Sequence, residues 1–418
     1  MPPIRLLHFA DLHIGMERHG RVDPATGLNS RVMDFLRRLS DLVQFAIARE
    51  VDLVIFAGDA YKNRDPNSTY RREFSWRIKE LADRGIPVVL VPGNHDLPAV
   101  ASRASSIEAF ATLQVPNVYV LEREELVQLT ARRGQPVQIA AAPYPFTSEL
   151  VAQEAYRGTS LDALDRLVSD KMAENIRALA QQARQQVQTP AILVGHFSVD
   201  GAELGSERGI MIGRDVSVPR STLVDPAWDY VALGHIHRYQ DLNAGAQPPV
   251  VYSGSVERID FGEEKEPKGW VLAEVERGHT TYQFIPGFER EARRFVTIDC
   301  DVRNASDPTA AVLAAIRKRE VQDAIVRVRL RLRSDQDPLV KERDLRAALV
   351  EAYDVAAIIK EIDWVVRTRL GDVNVEALTP LELLSRYFQV SNVPANQAEA
   401  LLRDARTLVS DVNSRDTA

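Results

Sequence analysis

The chain is poor in several things that would each have pointed to a class. It holds one cysteine, Cys300, in 418 residues, so no intramolecular disulfide can form and no close-spaced Cys/Cys or Cys/His set offers a structural zinc site. It has no net positive charge: 52 Lys and Arg stand against 59 Asp and Glu, a balance of −7, so the global basic field that marks many nucleic-acid binders is missing. Any polyanion would have to be met by local arginines, metal ions or a partner. No uninterrupted apolar run approaches the ~20 residues that span a bilayer, and only five residues separate Met1-Pro2-Pro3-Ile4-Arg5 from Asp11, too few for the core of a secretion signal. The reading is a protein neither secreted nor membrane-integral, at home in a reducing cytoplasm.

What is present is an ordinary globular balance, 45 % hydrophobic and 27 % charged, over a length that predicts two or three domains. Short apolar runs at Ile4–Ala10, Asp52–Ala57, Ile86–Val91, Val137–Ala142, Ala191–Val194, Tyr230–Leu233 and Val250–Tyr252 suit strands buried on both faces. Between them Val32, Phe35, Leu36, Leu39, Val43 and Ile47 recur at helical spacing, as do Leu161, Leu164, Val168, Met172, Ile176 and Leu179. The alternation predicts a layered α/β domain over 1–286, ending at the turn signal Pro286-Gly287. A small α+β domain over 287–370 follows, with strands at Phe295–Ile298, Ile325–Leu332 and Ile362–Val366 and helices at Pro308–Arg319 and Glu342–Val350. In 371–418 a linker precedes Thr379-Pro380-Leu381-Glu382, a capping box with proline at the first helical position. It opens a helix bearing Leu383, Leu384, Tyr387 and Phe388; beyond Pro394 a second carries Leu401, Leu402, Ala405, Leu408 and Val409, and Ser410–Ala418 reads as frayed.

The chemistry sits at the ends of the strand-like runs: Asp11-Leu12-His13, Gly58-Asp59, Gly93-Asn94-His95-Asp96, Gly195-His196 and Gly234-His235-Ile236-His237. In open α/β sheets ligands bind beyond the carboxyl ends of strands, so these clusters would converge. Five of the eight histidines lie in them, and carboxylate, imidazole and amide oxygen together suit two adjacent ions of the manganese, iron or zinc type. Residues two apart on an extended strand end point the same way, which lets Asp-x-His and His-x-His each serve one site. His8, His19 and His279 match no cluster, and His8, inside the first strand, reads as core; Cys300 reads as a small buried hydrophobe.

These ordered blocks resemble the calcineurin-like metallophosphoesterase superfamily. Within it the chain is similar to the SbcD-type nuclease subunits and their archaeal and eukaryotic relatives, the meiotic-recombination-eleven DNA-repair nucleases. Leu7-His8-Phe9-Ala10-Asp11-Leu12-His13, the two extra domains, and Tyr252-Ser253-Gly254-Ser255-Val256-Glu257-Arg258 with Phe261-Gly262-Glu263 carry that narrower match. The resemblance implies a β-sandwich flanked by helices, then an α+β capping domain, then a helix pair that grips the coiled-coil root of an SbcC-type ATPase. It implies one metal on Asp11, His13, Asp59 and His237 and a second on Asp59, Asn94, His196 and His235, with Asp59 bridging and manganese as the ion. His95 would be the general acid at the leaving oxygen, with Asp96 orienting its ring. The relatives' histidine three residues after the bridging aspartate is replaced here by Lys62, which leaves the balance of exonuclease to endonuclease action open. Arg64, Arg71, Arg72 and Arg103 are either phosphate contacts or solvated surface, and segments 68–84 and 103–113, read as helices, are either a homodimer face or ordinary core. The activity implied is metal-dependent hydrolysis of duplex DNA ends in double-strand-break repair by a cytoplasmic, nucleoid-associated protein. Two other readings stand beside it, a generic phosphoesterase acting on nucleotides or phosphoproteins and a catalytically silent scaffold. Intact donors at all seven positions weigh against the scaffold.

Overall fold

The computed structural model describes residues 2–98, 103–145, 160–205, 215–363 and 378–415. The chain parts into two compact units, Met1–Asp299 with Leu313–Arg329 and Glu342–Ile359, and Cys300–Val312 with Leu330–Lys341 and Lys360–Ala418.

The first unit is a sandwich. Its strands in chain order are β1 (Ile4–Phe9), β2 (Leu53–Phe56), β3 (Val88–Leu90), β4 (Val118–Val120), β5 (Glu125–Thr130), β6 (Pro136–Ala142) and β7 (Ala191–His196). They are followed by β8 (Ser198–Val199), β9 (Ser217–Val218), β10 (Tyr230–Gly234), β11 (Gln240–Asp241), β12 (Val250–Tyr252), β13 (Trp270–Glu276) and β14 (His279–Ile285). One six-stranded sheet runs β14-β13-β1-β2-β3-β4 and a second β11-β12-β10-β7-β6-β5, while β8 and β9 pair by themselves. Within each sheet the central neighbours are parallel, β1 to β4 in the first and β12-β10-β7-β6 in the second.

The period-two alternation of strand side chains explains why the runs are continuously apolar. Ile4, Leu6, Leu53, Ile55 and Val89 turn inward and meet Ile139, Ile192, Val194, Tyr230 and Val251 of the facing sheet. Leu7, Phe9, Val54, Phe56, Val88 and Leu90 turn outward onto Leu36, Leu39 and Val43 of the helix Ser30–Ala48 and Phe74, Ile78 and Leu81 of the helix Ser68–Asp83. The second sheet's outer face packs Leu193, Val231 and Tyr252 against Val168, Met172 and Ile176 of the helix Leu161–Ala183. Asn29, Asn67 and Ser160 cap the three helices through side-chain oxygens. His8 is buried between the sheets beside Tyr230, its Nδ1 3.1 Å from the hydroxyl, and burial pushes its pKa down to about 3; it is the core histidine its strand position suggests.

Several expectations change. Only Ala109–Thr112 of the 103–113 segment is helical. Ser105 and Ser106 spend their hydroxyls on Glu122 and Asp96 instead, and such local bonds compete with a helix. The strands β4, β5, β8, β9, β11, β13 and β14 match none of the expected runs: β13 is mostly buried, and the others are short or partly exposed. Further along, β15 (Phe295–Asp301), the helix Pro308–Arg317, β16 (Ile325–Arg333), the helix Glu342–Ala348 and β17 (Asp354–Asp363) form a sheet of order β15-β16-β17. Its last strand begins eight residues before the expected Ile362, since the half-buried apolar run Val355–Ile359 belongs to it; 364–366 lie outside the described residues. Cys300 is half buried on β15 rather than enclosed.

In the second unit the capping box is present in full, with Thr379 bonded to the Glu382 N–H and Glu382 to the Thr379 N–H. The helices are Pro380–Val390 and Ala395–Arg415, so the expected frayed end is helical through Arg415.

Candidate metal centre

Five strand ends supply the site. Asp11 follows β1, Asp59 follows β2, Asn94 follows β3, His196 closes β7 and His235 follows β10. Main-chain bonds lock the ends together: the Asp11 N–H donates to Gly58 O at 2.9 Å and the His13 N–H to Asp59 O at 3.1 Å. The His235 N–H donates to the Asp11 carboxylate at 3.1 Å, crossing from the second sheet to the first. Asp11, His13, Asp59 and His235 all take left-handed backbone conformations, with φ of 52°, 45°, 62° and 95°. Gly58 and Gly93 are required by closeness: a Cβ on Gly58 would lie 2.3 Å from His196 Nδ1, and one on Gly93 2.2 Å from Asp59 Oδ1.

The imidazoles are turned by their outer nitrogens. His196 Nδ1 lies 2.7 Å from Ala57 O, and a carbonyl only accepts, so Nδ1 carries the proton and Nε2 faces inward. Nε2 stands 3.1 Å from Asn94 Oδ1 and 3.4 Å from Asp59 Oδ2. His237 Nδ1 is held at 2.9 Å by Glu263, which leaves Nε2 inward, 2.9 Å from His13 Nε2. His235 is turned the other way, with Nε2 held at 2.9 Å by Asp215 and Nδ1 3.2 Å from Asn94 Oδ1. Asp59 Oδ2 lies between the two groups, 3.6 Å from His13 Nε2 and 3.4 Å from His196 Nε2.

This donor set fits divalent cations. Lone pairs of three outward-anchored imidazoles converge with two buried carboxylates, an arrangement that repels itself unless positive charge lies among them. The electrostatics say the same. Burial disfavours a charged His196, yet the Asp59 and Asp11 carboxylates with the Ala57 carbonyl outweigh it and push its pKa up to about 9. Burial raises Asp11, while Asp59, although buried, is held well below the usual carboxylate range by His196 and His95. Among the described residues three overlapping sets have ligand atoms within 4.8 Å of one another: Asp11, His13 and His237; His13, Asp59 and His95; Asp11, Asp59 and His196.

All seven residues read as metal ligands therefore fall in one cluster, with Asp59 at its centre. His95 stands at its edge, its ring centroid 5.0 Å from that of His13. Asp96, expected to orient the His95 ring, does something else. Its carboxylate accepts from the main-chain N–H groups of Asp59 at 2.7 Å, Gly93 at 3.1 Å and Ala60 at 3.0 Å, and from Ser106 Oγ at 3.1 Å. It clamps two strand ends to each other. The His95 ring is set by the Lys62 carbonyl, 2.6 Å from Nδ1, which fixes the Nδ1–H form and leaves Nε2 to the site. Of the arginines, Arg64 reaches Asn94 O at 3.3 Å, Arg71 and Arg72 pair with Asp65 and Glu73, and all four with Arg103 are exposed.

Three neighbours escaped the sequence reading. Asp215 has no motif around it. Glu263 was visible within Phe261-Gly262-Glu263 but carried no role; it is buried beside Lys268 at 3.2 Å, which, against the cost of burial, holds its pKa down at about 2. Tyr144 lies against the His235 ring with centroids 5.9 Å apart, and only the aromatic after Pro143 hinted at it.

Related proteins share most of this chain. It is 30 % identical over 292 residues to the SbcD-type subunit of the nuclease SbcCD of Rhodobacter capsulatus, covering 66 % of this chain and 67 % of that one. The Bacillus subtilis protein of the same name is 29 % identical over 287 residues, 68 % and 69 % of the two chains. The DNA double-strand break repair protein Mre11 of Thermoplasma acidophilum is 23 % identical over 320 residues, 75 % and 73 %. The family model described as calcineurin-like phosphoesterase matches residues 4–239, a span that contains every one of the seven converging donors, and the chain belongs to that family.

Proposed function

We propose that the chain is a two-metal DNA nuclease that hydrolyses phosphodiester bonds at duplex ends in break repair, as the SbcD-type partner of an SbcC-type coiled-coil ATPase. The observation that carries this is the placement of Asp59 Oδ2 between His13 and His196, the geometry of a carboxylate shared by two ions. Asp11, His13, Asp59 and His237 would hold one ion and Asp59, Asn94, His196 and His235 the other. A bound pair supplies activated water and neutralises phosphate charge during in-line displacement. Manganese suits the mixed nitrogen and oxygen donors.

The protein's own groups do the rest. The main-chain N–H of His95 fixes Asp59 Oδ1 at 2.9 Å, which would leave Oδ2 free for the ions. With Nδ1–H bound to Lys62 O, Nε2 faces the site, and the ring would act as general acid there as the imidazolium, giving its Nε2 proton to the leaving oxygen and keeping the one on Nδ1. Asp96 supports this by clamping the Asp59 and Gly93 main chain rather than by touching His95.

The division into 1–286, 287–370 and 371–418 supplies a nuclease domain, a cap and a docking pair. Tyr387, Val390, Leu401 and Leu408 of the helix pair are 43 %, 51 %, 47 % and 66 % exposed, which suits helix-on-helix recognition by the ATPase's coiled coil. Exposed Trp76 and Leu113 suit a homodimer contact. With a balance of −7, the chain leaves much of the DNA backbone contact to that partner, and it works in the cytoplasm at the nucleoid. No described helix is long and apolar enough to cross a membrane.

The test incubates the purified chain with Mn²⁺ and end-labelled linear duplex, with His95→Ala in parallel, and resolves product lengths while metal is quantified. Shortened products absent in a variant that still holds two ions support the proposal. Intact DNA with or without added ATPase, beside hydrolysis of a small phosphodiester, would move the substrate to smaller phosphoesters. Loss of metal in the variant would place His95 among the ligands, in its set with His13 and Asp59.

A further inference from the structure

The two histidines of Gly234-His235-Ile236-His237 are neighbours in sequence but are anchored by unrelated parts of the chain, through opposite nitrogens. His237 presents Nε2 because Glu263 holds Nδ1; His235 presents Nδ1 because Asp215 holds Nε2 at 2.9 Å. The two anchors are themselves held separately. Glu263 lies in the turn Phe261–Glu263, where it accepts from the Ile259 N–H at 2.7 Å and pairs with the buried Lys268, whose Nζ also donates to His237 O at 2.8 Å. Asp215 is brought in by β9, which pairs in parallel with β8, two residues beyond His196. The Ser198 hydroxyl donates to its second oxygen. The carboxylate is half-buried, with one oxygen on His235 Nε2 and the other on Ser198 Oγ.

We infer that Asp215 is a positioning residue for the Asp59, Asn94, His196 and His235 position alone, so that the two metal positions are tuned independently. Without an acceptor at Nε2 the His235 ring has no reason to keep its proton there, and a proton on Nδ1 removes the lone pair that faces Asn94 and the ion. Glu263 does the corresponding work for His237 through the other nitrogen. β8 starts two residues after His196, so this short ladder ties the chain that carries His196 to the chain that carries the anchor of His235.

The inference rests on the two-metal reading, and the test separates the two. Full-length chain is stripped with chelator and titrated with Mn²⁺, free ion being read by electron paramagnetic resonance, for wild type, Asp215→Ala, Asp215→Asn and Glu263→Gln. Ring ¹⁵N spectra of the zinc-loaded proteins report the tautomer of His235. Asp215→Ala should weaken one of two binding classes by about 10- to 100-fold, the range typical of lost outer partners, and leave the other within about threefold. It should also shift His235 away from the Nε2–H pattern. Asp215→Asn keeps an acceptor oxygen and should fall between, which keeps the test decisive if the alanine variant does not fold; Glu263→Gln should weaken the other class. Two unchanged classes in Asp215→Ala, or equal weakening of both in Asp215→Asn, would overturn the role of Asp215. A wild-type chain that binds fewer than two ions would overturn the two-metal reading and the inference with it.

Discussion

The sandwich and the C-terminal helix pair use apolar residues in opposite ways. In the sandwich Leu6 and Leu7 are adjacent in sequence and both fully buried, one between the sheets and one under a helix. In the helix pair Phe388 is buried, but Tyr387 beside it and Leu401 and Leu408 on the next helix face outward. The sandwich encloses its hydrophobic surface and so can hold charged and strained groups at its rim. The helix pair leaves surface that a second chain can cover.

That contrast can be broken at several points. The strongest blow to the rim is His95→Ala, for which phosphodiester hydrolysis should fall by about 10²–10⁴-fold with both ions retained; steady-state rates with metal counting check it. Gly93→Ala places a Cβ 2.2 Å from Asp59 Oδ1 and must displace that carboxylate. A shift of that kind costs about 10²-fold in rate, and here metal should be lost as well. In the interior, Ile55→Ala should cost about 2–5 kcal/mol in denaturant unfolding. Leu408→Asp, on the displayed face, should change the same midpoint by less than about 0.5 kcal/mol while abolishing capture by an SbcC-type ATPase. Retained capture would remove the helix pair as the docking site.

A subtler effect concerns protons. In chelated protein His196 has its pKa raised from 6.5 to about 9 despite burial, chiefly by Asp59. The stability this contributes is fully present below pH 6.5 and is lost as pH rises through about 9. Thermal unfolding with chelator from pH 6 to 10 should therefore show a decline that saturating Mn²⁺ abolishes, since the ions displace that proton.

The parts legible in sequence were those where one residue type has one explanation. Runs such as Ile4–Ala10 are apolar at every position because both faces of β1 are covered, and the donors announce themselves because each ends such a run. Asp96 misled because it adjoins His95 in sequence, whereas on this turn its carboxylate points back at main-chain N–H groups. The real partner of the His95 ring is the Lys62 carbonyl, a group every residue has and no side-chain pattern reveals. Asp215 escaped for a related reason: only a ladder of two-residue strands brings it to His235, and such strands leave no periodicity.

The left-handed backbones of Asp11, His13, Asp59 and His235 bear on how such a chain can evolve. Each costs on the order of 1–2 kcal/mol for a residue with a Cβ. Together that is on the order of 4–8 kcal/mol, comparable with the whole net stability of a typical domain. Selection for heat resistance alone would erode this site first. Asp11→Gly or Asp59→Gly would relieve the backbone and the crowding of buried carboxylates at one stroke, giving chains that melt later and cut nothing.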